Sequence, residues 1–504
     1  MTNKPKDQST FHILETSSTK IQAAYRSGQL SAKELVQSYL DRIAAYDHDG
    51  PIINSIITVN PRALEDADAL DAAFKASGPV GPLHGVPVIL KDQIDARGMP
   101  TTLGSVVFKD YYPDRDAFVV EKLKQAGAII LAKATLGEMG RGDTHGSLFG
   151  STRNPYDPER TVGGSSGGPG ASVSANLGTM AIGQEALASI RRPAAWNGIV
   201  GMRPTAGLVS RSGVYAGWPG TNASLGPMTR TVEDQAILLD ALIGYDPEDP
   251  ITALGVGQAP RSFTDSLQSD GLKGARIGVM RQSMGIGSEP ESEDFRKVSL
   301  VFDKMVSDLA GAGATVVDNV EIPKLMELLA KRAGAGEDDA AWHVYFDRST
   351  NPPYGSPTEM ADSPEYAKVM GRRPSITRSQ GPSAHYESLL ARDELMVNLL
   401  QTMADNSLDA IVHKSAEHQP TLISEGVNPP YVNMKGATHL NTFLVYVPSI
   451  SVPAGFTTDD LPVGVTFLGR PYSDADMIKF SFAYEQATHH RRPPSSTPDL
   501  QGHL

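Results

Sequence analysis

The chain has 504 residues, a formal net charge of −13 and no cysteine. Without cysteine there are no disulfides, thiolate metal sites, iron–sulfur clusters or cysteine-nucleophile hydrolases, and the acidic balance argues against general binding to nucleic acid or anionic membranes. The 40 % of hydrophobic residues, a polar start without a secretory core and apolar runs short of the ~18–20 residues that span a bilayer suggest a soluble, cytoplasmic protein.

In chain order, Ser31 to Glu34 has the pattern of a capping box, in which both side chains satisfy backbone donors at a helix start. Leu35, Val36, Tyr39, Leu40 and Ile43 follow at helical spacing. A second helix follows Asn60-Pro61 and runs to about Lys75, and these N-terminal helices occupy about 10–77. Val86 to Leu90 is a short apolar run closing on Lys91-Asp92, a buried strand; Val119 to Gln125 predicts a helix, and Ala128 to Ala132 a strand. A helix over about Gly168 to Asn176 precedes apolar Met180 to Ile182. Thr231 and Asp234 cap a further helix before a strand at Arg276 to Met280. A helix over about Asp294 to Leu309 leads to a strand near Thr315 to Val317. Late strands are expected at Ala410–Val412, Leu444–Val447 and Val463–Leu468. Such alternation predicts an α/β fold with a sheet buried between helices, which usually places its site at the carboxyl ends of strands. No period of about 20–50 residues repeats. The reading is one large domain over 1–504 with a Pro-rich insertion at about 346–384, either a surface excursion or a substrate-facing loop.

The outstanding segment is Gly163 to Gly168, four glycines around Ser165 and Ser166. Glycine at this density frees the backbone for conformations barred to other residues. A phosphate loop would require a lysine after the last glycine, and none is there. A dinucleotide fingerprint would require a strand leading in, where polar Asp157 to Arg160 stands instead. Gly164-x-Ser166-x-Gly168 formally matches the nucleophile elbow of serine esterases, which wants the same strand and a histidine partner, such as His418 or His439. Ser189 and Lys91, each seen alone, are ordinary residues.

Taken together, these positions resemble the amidase signature family. The carriers are His84 to Asp92 ending on Lys91, Asn154 to Pro158 followed by Gly163 to Gly168, Gly183 to Pro193 with Ser189, and Gly198 to Pro204. In the tail, Val452 to Phe456, Leu461 to Gly469 and Ala483 to Gln486 agree, so the resemblance spans about 25–490. It implies a single large α/β/α domain with a mixed sheet of many strands, and amide hydrolysis without metal or cofactor. Carried over residue by residue, it makes Lys91 the base, Ser165 the bridging serine after a cis peptide bond, and Ser189 the acylated nucleophile. A lysine acts as base only when burial lowers its pKa. The family usually has two glycines before the nucleophile, where this chain has Leu187-Ala188; the amides from Ala186 to Ser189 would still form an oxyanion hole if the turn needs no positive φ. Glu185 stands where Asp is common and is expected to brace Arg191; Gln93, where Asn is common, is expected to be neutral.

Met139 resembles a substrate-contacting position of the family and is also a plain core methionine by type. His418, Tyr431 and Asn433 could line the leaving-group side. Ser17-x-x-Lys20 matches a penicillin-binding motif only formally, and the scattered histidines show no metal-ligand spacing. The expectation is an amidase for a small neutral amide, anilide or carbamate, needing no cofactor, metal, nucleic acid or membrane, with a homodimer allowed. Its rivals are a serine–histidine esterase using Ser166, the glutamine-hydrolysing component of an amidotransferase, and a non-catalytic scaffold.

Overall fold

The computed structural model describes residues 11–215, 223–332, 338–369, 382–426 and 434–500. Among these, eleven strands join in one sheet: β1 Ile56–Val59, β2 Pro87–Lys91, β3 Ile129–Ala134, β4 Met180–Glu185, β5 Val200–Arg203, β6 Ser224–Thr229, β7 Arg276–Val279, β8 Thr315–Asp318, β9 Ala410–Lys414, β10 Ser449–Phe456 and β11 Pro462–Leu468. Their order is β1-β3-β2-β4-β6-β5-β10-β11-β9-β7-β8. The β3-β2-β4 and β9-β7-β8 groups pair in parallel and the remaining neighbours antiparallel, so the sheet is mixed, as expected. Every residue of β2, β3 and β4 is buried, which explains why these strands read as continuous apolar runs rather than alternating ones.

Helices cover the strands. Ala32–Arg42 begins on the expected capping box: the Ser31 hydroxyl accepts from the Glu34 amide, and the Glu34 carboxylate accepts from the Ser31 amide at 2.8 Å. Thr231 caps Val232–Leu242 by accepting from the Asp234 amide. Gly167–Ser174 is buried along its whole length and packs against β2, β4 and β6. No helix among the described residues is long and apolar enough to cross a membrane.

Two local expectations are corrected. Leu444–Val447 is not a strand; β10 begins at Ser449. Leu444, Val445 and Val447 are apolar because they are buried in the core, and the Val445 carbonyl accepts from the Arg203 guanidinium at 3.2 Å instead of from a neighbouring strand. A strand does lead toward the glycine–serine segment: Asp157–Thr161 pairs with Arg153–Asn154 in a small ladder outside the main sheet, which polar composition concealed. Ser17 belongs to a helix start, its side chain accepting from the Lys20 amide ahead of Ser18–Ser27, which accounts for the spurious Ser-x-x-Lys match.

Ser31→Ala removes one half of the capping box and should destabilise the protein by about 1 kcal/mol. Urea denaturation compared with the parent, with unchanged far-ultraviolet circular dichroism, measures this.

Candidate active site

β2 delivers Lys91 to the carboxyl end of the sheet, flanked by β3 and β4 in parallel register. The Lys91 side chain has no solvent exposure. Its Nζ lies 2.7 Å from Oγ of Ser165 and donates to the Gln184 carbonyl at 3.3 Å. Burial pushes the amine well below its ordinary pKa, opposed by the nearby Glu185 carboxylate. An uncharged amine in this position has an N–H for the carbonyl and a lone pair for the serine hydroxyl.

Ser165 follows a cis Gly164–Ser165 peptide bond. Its carbonyl accepts from the Gly137 amide at 3.0 Å. Close approach explains the glycines here: a Cβ on Gly164 would collide with the Gly142 carbonyl, and one on Gly168 with the Thr135 carbonyl. Ser166 is otherwise engaged. Its hydroxyl donates to the Gln184 carbonyl at 3.1 Å and accepts from the Gln184 amide at 3.2 Å, which ties the segment to β4. Among the described residues no histidine bonds to it, and His418 instead meets Asp294 at 3.3 Å. The elbow reading of Ser166 is therefore corrected: its buried hydroxyl holds backbone rather than facing a substrate.

The Ser166 amide donates to the Ser189 carbonyl at 3.0 Å, which brings the two serine segments together. Ser189 is partly exposed, unlike Ser165. The turn leading to it is clamped by Glu185: one carboxylate oxygen accepts from the Ile190 amide at 2.8 Å and the Arg191 amide at 3.0 Å, and the other from Arg191 Nε at 2.8 Å. Arg191 also donates to the Leu187 carbonyl at 2.9 Å. The brace expected of Glu185 is present. No residue from Ala186 to Ser189 has positive φ, so the turn accommodates Leu187 and Ala188 without strain. Among the described residues, the amides of Ala186, Leu187, Ala188 and Ser189 find no hydrogen-bond acceptor. Open N–H groups beside a serine are the kind of donor that an oxyanion requires. Leu187 and Ala188 pack with Ala437, Ile286 and Met434, an apolar wall on this side.

Met139, held at φ 54° with its amide on the Leu103 carbonyl at 2.9 Å, packs against a cluster of aromatic residues. Tyr431 and Asn433 lie outside the described residues. Gln93 donates to the Tyr215 carbonyl. Sequence reasoning also missed Lys133, a second lysine without exposure, which meets Asp92 at 3.6 Å and donates to Thr101 at 3.0 Å. Its signal was available as a lone lysine inside an otherwise apolar strand. Asp95, next in this network, is lifted by burial to about 6, against the hydrogen bond from Tyr345.

A family model described as Amidase matches residues 34–478. The chain is 33 % identical to a glutamyl-tRNA(Gln) amidotransferase subunit from Symbiobacterium thermophilum, over 96 % of this chain and 99 % of that one. Among solved structures, native peptide amidase from Stenotrophomonas maltophilia superposes with a TM-score of 0.85 at 32 % identity, covering 96 % of this chain and 99 % of its own. The corresponding glutamyl-tRNA(Gln) amidotransferase subunit from Thermotoga maritima gives 0.71 at 28 % identity, covering 94 % and 95 %.

Replacing Arg191 with Met strands the Glu185 carboxylate in the interior and should cost about 3–5 kcal/mol. The double variant Glu185→Leu/Arg191→Met should regain part of that stability without regaining activity, because neither residue then holds the turn. Chemical denaturation and turnover of both variants check this.

Proposed function

The chain belongs to the amidase (amidase signature) family, and on that premise we propose that it cleaves the C–N bond of a small neutral amide, anilide or carbamate through an acyl-enzyme on Ser189. The observation that carries this reading is the buried Lys91 amine against the Ser165 hydroxyl at 2.7 Å, beside a turn with open amides. In the proposed mechanism, neutral Lys91 takes the Ser165 proton while Ser165 takes that of Ser189, whose oxygen attacks the substrate carbonyl carbon. The amides from Ala186 to Ser189 hold the resulting oxyanion. Collapse breaks the C–N bond, and the proton returns through Ser165 to the departing nitrogen. Water then repeats the sequence on the ester, releasing the acid and restoring Ser189. The apolar wall of Leu187, Ala188, Ile286, Met434 and Ala437 favours neutral acyl groups, since a carboxylate buried there would lack a partner.

The relatives also include amidotransferase components, so the second reading is a glutaminase working within such an assembly. What favours a stand-alone enzyme is the closer superposition on peptide amidase, 0.85 against 0.71. Glutaminase activity that arises only when partner proteins are added would overturn the stand-alone reading.

Because the neutral amine is the working form, kcat/KM should rise with pH as Lys91 loses its proton, with the acid limb well below the ordinary lysine pKa. Lys91→Met should lower kcat/KM by about 10²–10⁴-fold and abolish that limb while the protein stays folded. A fluorophosphonate should label the parent and not Ser189→Ala. Intact protein without labelling or amidase activity would support a scaffold, and an unchanged acid limb in Lys91→Met would reject Lys91 as the base.

A further inference from the structure

The helix Asp338–Phe346 and the turns after it fold onto the loop that follows Lys91. The Phe346 ring lies 4.4 Å from Trp342, 5.4 Å from Tyr111 and 5.9 Å from Phe108, centroid to centroid, and Tyr345 lies 5.4 Å from Tyr215. Met139, Tyr215, Tyr354 and Tyr366 form the partly exposed margin of this cluster. Two backbone hydrogen bonds connect the margin to the main chain at Gln93 and Ser165. The Tyr215 amide donates to the carbonyl of Gln93 at 3.1 Å, close behind Lys91 in sequence, and the Gly137 amide, just before Met139, donates to the Ser165 carbonyl at 3.0 Å. Arg348 to Glu248 and Thr350 to Asp114 are the outer polar contacts of this segment. Inside the aromatic cluster the Tyr345 hydroxyl donates to Oδ1 of Asp95 at 2.6 Å, where the Thr101 hydroxyl also donates at 2.9 Å. Lys133 in turn holds Thr101 and pairs with Asp92, the neighbour of Lys91. A chain of buried polar contacts therefore runs from the aromatic helix to the end of β2.

We propose that Tyr345 and Asp95 are positioning residues that pin this aromatic wall beside Lys91 and Ser165, and that the wall selects substrates carrying a neutral aromatic group. The inference rests on the amidase reading and names its substrate class. Ring edges and faces at the margin offer offset and edge-on contacts to an aryl group, whereas a carboxylate placed there would lose water without gaining a partner. A phenyl-bearing amide should therefore bind more tightly than its methyl counterpart, and loosening the helix should erase the difference.

The test measures binding of matched neutral amides, phenyl against methyl, by calorimetry on Ser189→Ala, so that the result does not depend on turnover. The pair is made with the ring on the acyl side and again on the amine side. We expect a preference for phenyl of about tenfold or more on one side, worth about 1.4 kcal/mol per factor of ten. Adding Tyr345→Phe should cut the preference to about threefold or less. Asp95→Asn keeps an acceptor for the tyrosine and should restore the parental ratio where Asp95→Ala does not. Trp342→Leu leaves the hydrogen bond and removes a ring, so it too should lower the ratio. In the active enzyme the same changes should raise KM for the phenyl amide more than KM for the methyl amide. Equal binding of phenyl and methyl amides by the parent, or a ratio indifferent to both Tyr345→Phe and Trp342→Leu, overturns the proposal. Failure to turn over any amide would instead count against the amidase reading alone.

Discussion

The Lys91 amine sits at the end of a strand covered on both faces, stripped of water, with one serine hydroxyl and one backbone carbonyl within reach. Charging an amine there costs far more than in solvent, which lowers its pKa well below that of an ordinary lysine. That condition makes the rest of the arrangement intelligible. The glycines of 163–168 let the Ser165 chain approach the amine, Ser166 locks the segment to β4, and its amide donates to the Ser189 carbonyl. Moving any of these pieces would separate the hydroxyl from the amine.

Three buried ion pairs lie close to the site. Glu185 with Arg191 braces the nucleophile turn, Asp143 with Arg192 secures the turn behind Gly164, and Asp92 with Lys133 anchors the loop after β2. Buried ion pairs are poor sources of net stability, since desolvation offsets most of their attraction. What these pairs do have is direction: each joins a loop to a particular element, and the three loops converge on Lys91, Ser165 and Ser189. The turn before Ser189 carries Leu187 and Ala188, and its backbone stays in ordinary φ space while the Glu185 carboxylate holds the amides that follow it.

Much of this was legible from local sequence. The capping box at Ser31, the buried runs of β2 to β4 and the glycine–serine segment follow from periodicities and residue types acting over a few positions, and family resemblance supplied Lys91, Ser165 and Ser189 as a set. The failures are equally local in origin. Asp157–Thr161 is a polar strand because it pairs in a surface ladder, and Leu444–Val447 is an apolar loop because its carbonyls are satisfied by Arg203. Apolar content reports burial; it reports hydrogen-bond pattern only where the two coincide.

By itself the sequence determined the elements, the absence of thiol chemistry, the family resemblance and the need for small residues around Ser165, because each depends on side-chain chemistry or on neighbours a few residues apart. Only the tertiary structure decided that Lys91 meets Ser165 across 74 positions, that Ser166 is sealed against β4, and that Tyr345 reaches Asp95 across 250 positions. Such contacts arise when strand order and helix packing exclude water from both partners at once, and no local pattern of residues encodes which distant partner will be there.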